Sequence, residues 1–254
     1  MLTISCEDNM ALMRRYPDKH FDLAIVDPPY GIGEAGKNHK SRNTLYRLSG
    51  GGIRRRTSTS YTKKDWDSAT PSYEFFRELK RVSKNQIIFG ANYFTEICGT
   101  TFKPPRRPSF SKFIQENGFS WIIWDKINGT NDFNDCELAW HSFPEFTTTF
   151  EYMWAGMMQG KGAGNGTIMN GDKSKNEKRI HPTQKPVILY KWLLDKYAAP
   201  GDKIIDTHFG GGSIGLACYD YDFDLTACEL DEEYFNKAMK RIDDHKKQQR
   251  LILE

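Results

Sequence analysis

Short apolar runs alternate along this chain with stretches whose apolar positions recur every three or four residues. Residues 2–5 read as a first strand, and Met10, Leu12 and Met13 open a helix behind it. Residues 21–26 form an apolar run of the kind buried on both faces of a sheet. Phe75, Phe76, Leu79 and Val82 then recur at helical spacing, followed by the strand 86–89. A helix over about 109–117 leads into a strand at 120–124. Residues 137–140 and 150–154 read as strands near an antiparallel edge. The last part is the most regular: a helix near 187–197, a strand at 203–206, a glycine cluster, a helix reaching about Tyr219 and a strand at 225–228. A closing helix carries Tyr234, Phe235, Ala238, Met239 and Ile242 on one stripe, with Lys246 to Arg250 at a solvated end. This alternation predicts an α/β domain over residues 1–254, a mostly parallel sheet with helices on both faces.

The rhythm fails in two places. Residues 33–65 hold nine Lys and Arg against two acids, with Gly50, Gly51 and Gly52 directly before Arg54, Arg55 and Arg56. That predicts a flexible, basic loop insertion. Residues 156–180 are again rich in Gly, Lys and Asn, with little to bury.

At the end of the second strand the chain reads Asp27-Pro28-Pro29-Tyr30. Two prolines stop the ladder, since neither donates a backbone hydrogen bond and each holds φ near one value. A carboxylate, bare carbonyls and an aromatic ring are thereby held at fixed offsets beyond a strand's carboxyl end, where ligands sit in open α/β sheets.

Composition narrows the class. No run of about 18 apolar residues is present and the first residues lack a signal peptide's pattern, so a soluble, intracellular protein is expected. The five cysteines, Cys6, Cys98, Cys136, Cys218 and Cys228, form no C-x-x-C pair, and neither a disulfide framework nor a metal site is expected. His141 and His208 read as packing histidines, and Trp121, Trp124, Trp140 and Trp154 as core. The net charge of +3 says little until its concentration in residues 33–65 is considered.

Gly210-Gly211-Gly212-Ser213-Ile214-Gly215 matches G-x-G-x-x-G between a strand and a helix, and Glu229 lies 19 residues beyond Gly210 at the next strand's end. Such glycines let a backbone approach a ligand closely, and an acid at that distance accepts from ribose hydroxyls. A dinucleotide or any other adenosine-bearing cofactor fits that pattern.

His181-Pro182-Thr183-Gln184-Lys185-Pro186, just ahead of the helix that feeds the glycine strand, narrows the choice. With it the chain resembles the DNA amino-methyltransferases that use S-adenosylmethionine, in their permuted β-type motif order. Asp27 to Tyr30 resembles the family's catalytic motif, 181–186 its cofactor-proximal motif, Asp206-Thr207-His208-Phe209-Gly210-Gly211-Gly212 its cofactor loop and Glu229 its ribose acid. Residues 85–94 are similar to a further family block. The resemblance implies one Rossmann-like methyltransferase domain with a seven-stranded sheet and an antiparallel edge strand. It also implies cofactor contacts from Asp8, Asp27, Thr183, Gln184, Lys185, Asp206, Phe209, Gly210, Gly212 and Glu229. Asp8 would accept from the cofactor's adenine amino group, or it caps the helix that follows.

The chemistry so implied needs no metal. Asp27 accepts one hydrogen of an exocyclic amino group and a carbonyl of Pro28 or Pro29 accepts the other, turning the nitrogen lone pair to the sulfonium methyl. Tyr30 stacks on the target base, which must leave the duplex. Arg54, Arg55, Arg56, Lys63 and Lys64 are the candidate phosphate contacts, and residues 156–180 are left as a short target-recognition loop. The resemblance admits a homodimer and implies a cytoplasmic enzyme of a bacterial or phage-infected cell, in restriction–modification or a related role. Asp in the first motif position leans toward adenine N6, with cytosine N4 the alternative. An NAD-dependent oxidoreductase would explain the glycines and Glu229 but leaves Asp27 to Tyr30 and 181–186 without purpose. A DNA-binding protein without turnover would need a damaged motif, and none is present.

Overall fold

The computed structural model describes residues 1–33, 45–47, 53–55, 64–98, 101–104, 110, 120–127, 134–155, 158–160 and 176–253. The expected helix at 109–117 lies almost wholly outside them, as do Arg56 and Lys63.

The core is an eight-stranded sheet. In chain order its strands are β1 (Leu2–Cys6), β2 (Phe21–Val26), β5 (Ser83–Phe89), β6 (Trp121–Asp125), β7 (Cys136–His141), β8 (Thr148–Glu151), β11 (Lys203–Asp206) and β12 (Asp224–Glu229). In space they run β1-β12-β11-β2-β5-β7-β6-β8. The five strands from β1 to β5 are mutually parallel, β7 runs against both β5 and β6, and β8 is parallel to β6.

Two details differ from expectation. The reversed strand is internal, flanked by β5 and β6, and the sheet has eight strands rather than seven. The eight strands read one by one from the sequence are all in this sheet; only the count of seven implied by the resemblance differs. A further change falls at Tyr152, whose N–H donates to the Asp125 carbonyl at 3.0 Å. The apolar run read as one strand at 150–154 is divided there: β8 closes the sheet edge, while β9 (Met153–Ala155) leaves it to pair with β10 (Met158–Gly160).

Each sheet face is covered by helices, because side chains on β2 alternate. Leu23 and Ile25 point to one layer with α4 (Val187–Tyr197) and residues of α5 (Ser213–Asp220) and α6 (Glu232–Leu253). Ala24 and Val26 point to the other, with α1 (Asn9–Arg14) and α2 (Tyr73–Val82). Helix α2 buries Phe75, Phe76, Leu79 and Val82 and is capped by Ser72, whose hydroxyl accepts from the Phe75 N–H at 3.3 Å. Such a cap contributes about 1 kcal/mol. A short helix α3 (Thr95–Cys98) follows a single 3₁₀ turn at Ala91–Tyr93. Trp121, Trp124 and Trp154 are buried, while Trp140 is only half-buried.

The basic insertion is not featureless. Within it β3 (Leu45–Arg47) pairs antiparallel with β4 (Ile53–Arg55), setting Tyr46 opposite Arg54. The β-prone Leu45, Tyr46 and Ile53 favour that pairing despite the surrounding charge. Among the described residues, no helix is long and apolar enough to cross a membrane.

Candidate functional site

Strands β11 and β2 are neighbours at the centre of the sheet, yet their continuations diverge: β11 leads through α5 to β12 on one side, β2 through α2 to β5 on the other. The chain therefore parts at their carboxyl ends, which opens a crevice at a topological switch point. A cleft of about 370 Å³ lies there, with Asp27 and Pro29 at one end and Glu7, Asp8 and Glu229 along its walls.

The glycine turn forms one side. Phe209 N–H donates to the Cys228 carbonyl at 3.0 Å, and the Gly210 N–H donates to Glu229 Oε2 at 2.7 Å. Glu229 Oε1 accepts from the Asp231 N–H at 2.9 Å. The Leu230 N–H is also directed at this carboxylate, so of its four or so lone-pair sites about one is left. Burial pushes the Glu229 carboxyl up from its ordinary value, against the hydrogen bonds from Asp231 and Gly210. The glycines serve different ends. A Cβ on Gly211 would lie 2.7 Å from Gln184 Oε1 and one on Gly212 3.1 Å from the Ala238 Cβ, so packing demands those two. At Gly210, with φ +51°, the nearest atoms would be 3.8 Å away. That is ordinary contact, so at Gly210 it is the positive φ and not packing that calls for glycine.

Asp206 closes β11 beneath this turn and is 2% exposed, with Oδ1 accepting from the His208 N–H at 2.9 Å. Burial raises its carboxyl to about 8. It supports the loop from below and does not line the cleft, and Gly212 likewise packs behind it. Phe209, Gly210, Thr183, Gln184 and Asp8 do line it. Asp8 Oδ1 accepts from the Ala11 N–H at 3.0 Å, capping α1 as the second reading of that residue expects. His208 is held by Asn9, Thr207 and Phe75, and burial lowers it to about 4. His181 lies between Trp66 and Tyr234, with ring centroids 5.1 and 4.2 Å away, and burial lowers it to about 3.

At the other end, Tyr30 donates its hydroxyl proton to Asp27 Oδ1 at 2.7 Å, while the Lys185 ammonium contacts Asp27 Oδ2 at 2.5 Å. Lys185 also reaches Glu137 Oε2 at 3.1 Å and the Tyr30 hydroxyl at 3.2 Å, and Lys126 bridges to the same Glu137. The Tyr30 and Gly31 N–H groups both donate to Asp67 Oδ1, at 2.8 and 2.9 Å. That locks the turn following the prolines. Burial raises Asp27, opposed chiefly by the charge of Lys185. For Glu137 burial also pushes upward, but Lys126 and Lys185 outweigh it and bring the carboxyl to about 2.

The structure thus gathers Asp27, Pro29, Asp8, Thr183, Gln184, Lys185, Phe209, Gly210 and Glu229 around one cleft, with Pro28 buried behind it. Tyr30 stands outside the lining: its ring stacks on Tyr93 at 5.2 Å and 16°. Lys64 does not stand free. Its ammonium holds Asp231 at 2.5 Å and Glu233 at 2.8 Å and lies 4.6 Å from the Tyr234 ring. The backbones of Arg54 and Arg55 lie in β4. Sequence reasoning passed over Glu137, Lys126, Asp67 and Trp66. Their only signal was charge or aromaticity on otherwise ordinary segments, and each acquires its role from a contact distant in the chain.

Comparison with known proteins adds an independent line. Residues 165–240 match the profile of the N6_N4_Mtase family, described as DNA methylase. The chain is similar to the type II methyltransferase M.HpaI of Haemophilus parainfluenzae, 23% identical over 94% of this chain and 73% of that protein. It is also similar to the type II methyltransferase M.HinfI of Haemophilus influenzae, 25% identical over 94% of this chain and 68% of that protein. The crystal structure of an M1.HpyAVI–SAM complex superposes with a TM-score of 0.51 at 19% identity, over 96% of this chain and 100% of that one, which shows a shared fold. The chain thus carries a DNA methylase profile match over part of its length, and across most of it is similar to two type II methyltransferases.

Proposed function

We propose that this protein transfers a methyl group from S-adenosylmethionine to the exocyclic N6 amino group of adenine in DNA. The observation that carries the reading is a single cleft with Glu229 on its wall and the Asp27 carboxylate at its end. The residues present fit the cofactor: Glu229 lines the cleft as an acceptor for a ribose hydroxyl, and Gly210 beside it adds no side chain. Asp8 and Thr183 add polar groups along the same wall. S-adenosylmethionine supplies an activated methyl on a sulfonium centre, so the protein's part is positioning and electrostatics. Asp27 Oδ1 accepts one amino hydrogen and a carbonyl of Pro28 or Pro29 the other, which turns the nitrogen lone pair away from the ring. The turn that presents them is held rigid by Asp67. The base reaches this depth only when taken out of the stack, and the basic insertion at 33–65 supplies charge for the phosphates. Adenine is favoured over cytosine by the Asp27-Pro28-Pro29-Tyr30 motif.

The test is to incubate the purified protein with labelled S-adenosylmethionine and unmodified DNA and digest to nucleosides. Labelled N6-methyladenine is expected, and its loss in Asp27→Ala by at least roughly 10²-fold. Label in cytosine would overturn the adenine assignment, and label in neither base the reaction.

A further inference from the structure

Around Asp27 lies a set of partly buried charges, centred on a buried ammonium, that the methyl transfer described above does not itself use. Lys185 is 4% exposed. An ammonium has three protons to donate, and Lys185 has three acceptors: Asp27 Oδ2 at 2.5 Å, Glu137 Oε2 at 3.1 Å and the Tyr30 hydroxyl at 3.2 Å. All three protons are taken in this arrangement, so a cofactor carboxylate would reach Lys185 by replacing one of these acceptors. Glu137 stands on β7, the strand whose reversal places it beyond β5, and its other partner is Lys126 at the end of β6. Two ammonium groups and two carboxylates balance formally. Removing one partner from such a set leaves an uncompensated buried charge.

The geometry also sorts the two oxygens of Asp27. Oδ2 is committed to Lys185, while Oδ1 holds only the Tyr30 hydroxyl. An incoming amino group therefore meets Oδ1, which keeps a lone pair beside the one that holds the Tyr30 hydroxyl. Resting on the reaction proposed above, we infer that Glu137, held by Lys126 and acting through the Lys185 ammonium, is a positioning residue for Asp27. By sharing the Lys185 charge it keeps Oδ2 anchored without drawing the acceptor strength out of Oδ1. The other titratable groups facing Asp27 are Tyr30 on its own turn, Tyr190 on α4 and Asp206 on β11. Neither Tyr190 nor Asp206 contributes a hydrogen bond to it.

The two variants should act in opposite directions. Without the ammonium, Lys185→Met leaves Asp27 buried and unpaired, so its carboxyl titrates higher by roughly one to three pH units. Without the competing carboxylate, Glu137→Gln gives Asp27 the whole Lys185 charge, and its carboxyl titrates lower. A merely structural role would move neither in a signed way. Carboxyl ¹³C NMR of the full chain without cofactor measures this directly, the Asp27 signal being assigned by its loss in Asp27→Asn. Lys126→Met serves if Glu137→Gln does not fold: it turns Glu137 wholly onto Lys185 and should raise the Asp27 midpoint. In turnover, Glu137→Gln should lower kcat roughly tenfold, the equivalent of one pK unit at the acceptor, with KM for S-adenosylmethionine unchanged. A wild-type protein that methylates nothing counts against the reaction, and the cofactor-free titration still judges the network. Equal Asp27 midpoints in wild type and variants overturn the inference even in an active enzyme.

Discussion

The ring of Tyr30 occupies the space that a side chain on Gly90 would need: a Cβ there would lie 2.1 Å from Cε1 and 2.4 Å from Cδ1 of that ring. Gly90 follows β5 directly, has φ +67° and donates its N–H to the Leu138 carbonyl at 2.8 Å. The end of β5 and the last residue of the Asp27-Pro28-Pro29-Tyr30 turn are thus fitted to each other, and β7 holds Gly90 in place. This fit places the Tyr30 hydroxyl on Asp27.

Gly90→Ala should therefore cost stability and chemistry together. Strain at positive φ and an overpacked ring contribute roughly 2 kcal/mol, measurable by denaturant unfolding. Methyl transfer should fall while cofactor affinity holds, because Glu229 and Gly210 lie on the other wall of the cleft. A variant with normal stability and full turnover would show that the ring can relocate freely.

Glu229→Gln tests the cofactor wall. Gln keeps an oxygen but replaces the other acceptor, facing the Gly210 and Asp231 N–H groups, with a donor. Hydrogen bonds to a charged acceptor contribute about 1.5–3 kcal/mol, so affinity for S-adenosylmethionine by calorimetry should weaken roughly 10- to 100-fold. Unchanged affinity would remove Glu229 from the ribose role.

Much of this was legible in the sequence because it is written locally. The apolar run at residues 21–26, the helical stripe of Phe75, Phe76, Leu79 and Val82, and the strand–glycine–helix succession at 203–220 are each patterns of adjacent residues. What escaped depends on contacts across the chain. The run 150–154 divides at Tyr152, after which the chain leaves β6 and pairs β9 with β10, a departure that no local pattern marks. Glu137 reads as an ordinary polar position on a half-buried strand until Lys185, 48 residues on, is folded against it. Lys185 itself sits inside a motif read as cofactor-proximal, and the fold brings its ammonium onto Asp27 and Tyr30 at the cleft.

Asp206 gives a pH signature. Unfolded, its carboxyl ionises near its ordinary 3.8; folded, burial keeps its proton up to about 8. The folded state carries the extra proton across that window, so this group's contribution to stability is full below about pH 4 and is lost as pH rises through 8. Asp206→Asn removes the term while keeping an acceptor for the His208 N–H. The difference in melting temperature between variant and wild type should grow in the variant's favour from pH 6 to pH 8. A difference independent of pH would mean that Asp206 is ionised in the folded protein.

Two basic clusters that look alike in sequence should behave differently toward DNA. Arg54, Arg55 and Arg56 belong to an insertion with nine basic residues against two acids, and each one that neutralises a phosphate contributes about 0.9 to the slope of log affinity against log salt. Changing all three to Gln should flatten that slope by up to roughly 2.7. Lys64 lies in the same insertion by sequence, but its ammonium is held by Asp231 and Glu233, and Asp231 in turn presents its N–H to Glu229. Lys64→Gln should leave the salt slope of DNA binding alone and weaken S-adenosylmethionine binding up to roughly fivefold, the equivalent of a bridge worth about 1 kcal/mol. Filter binding across a salt series, with calorimetry of the cofactor, separates the two. A slope change in Lys64→Gln equal to one arginine's share would return Lys64 to the DNA contacts, and an unaltered slope in the triple variant would place the phosphate path elsewhere.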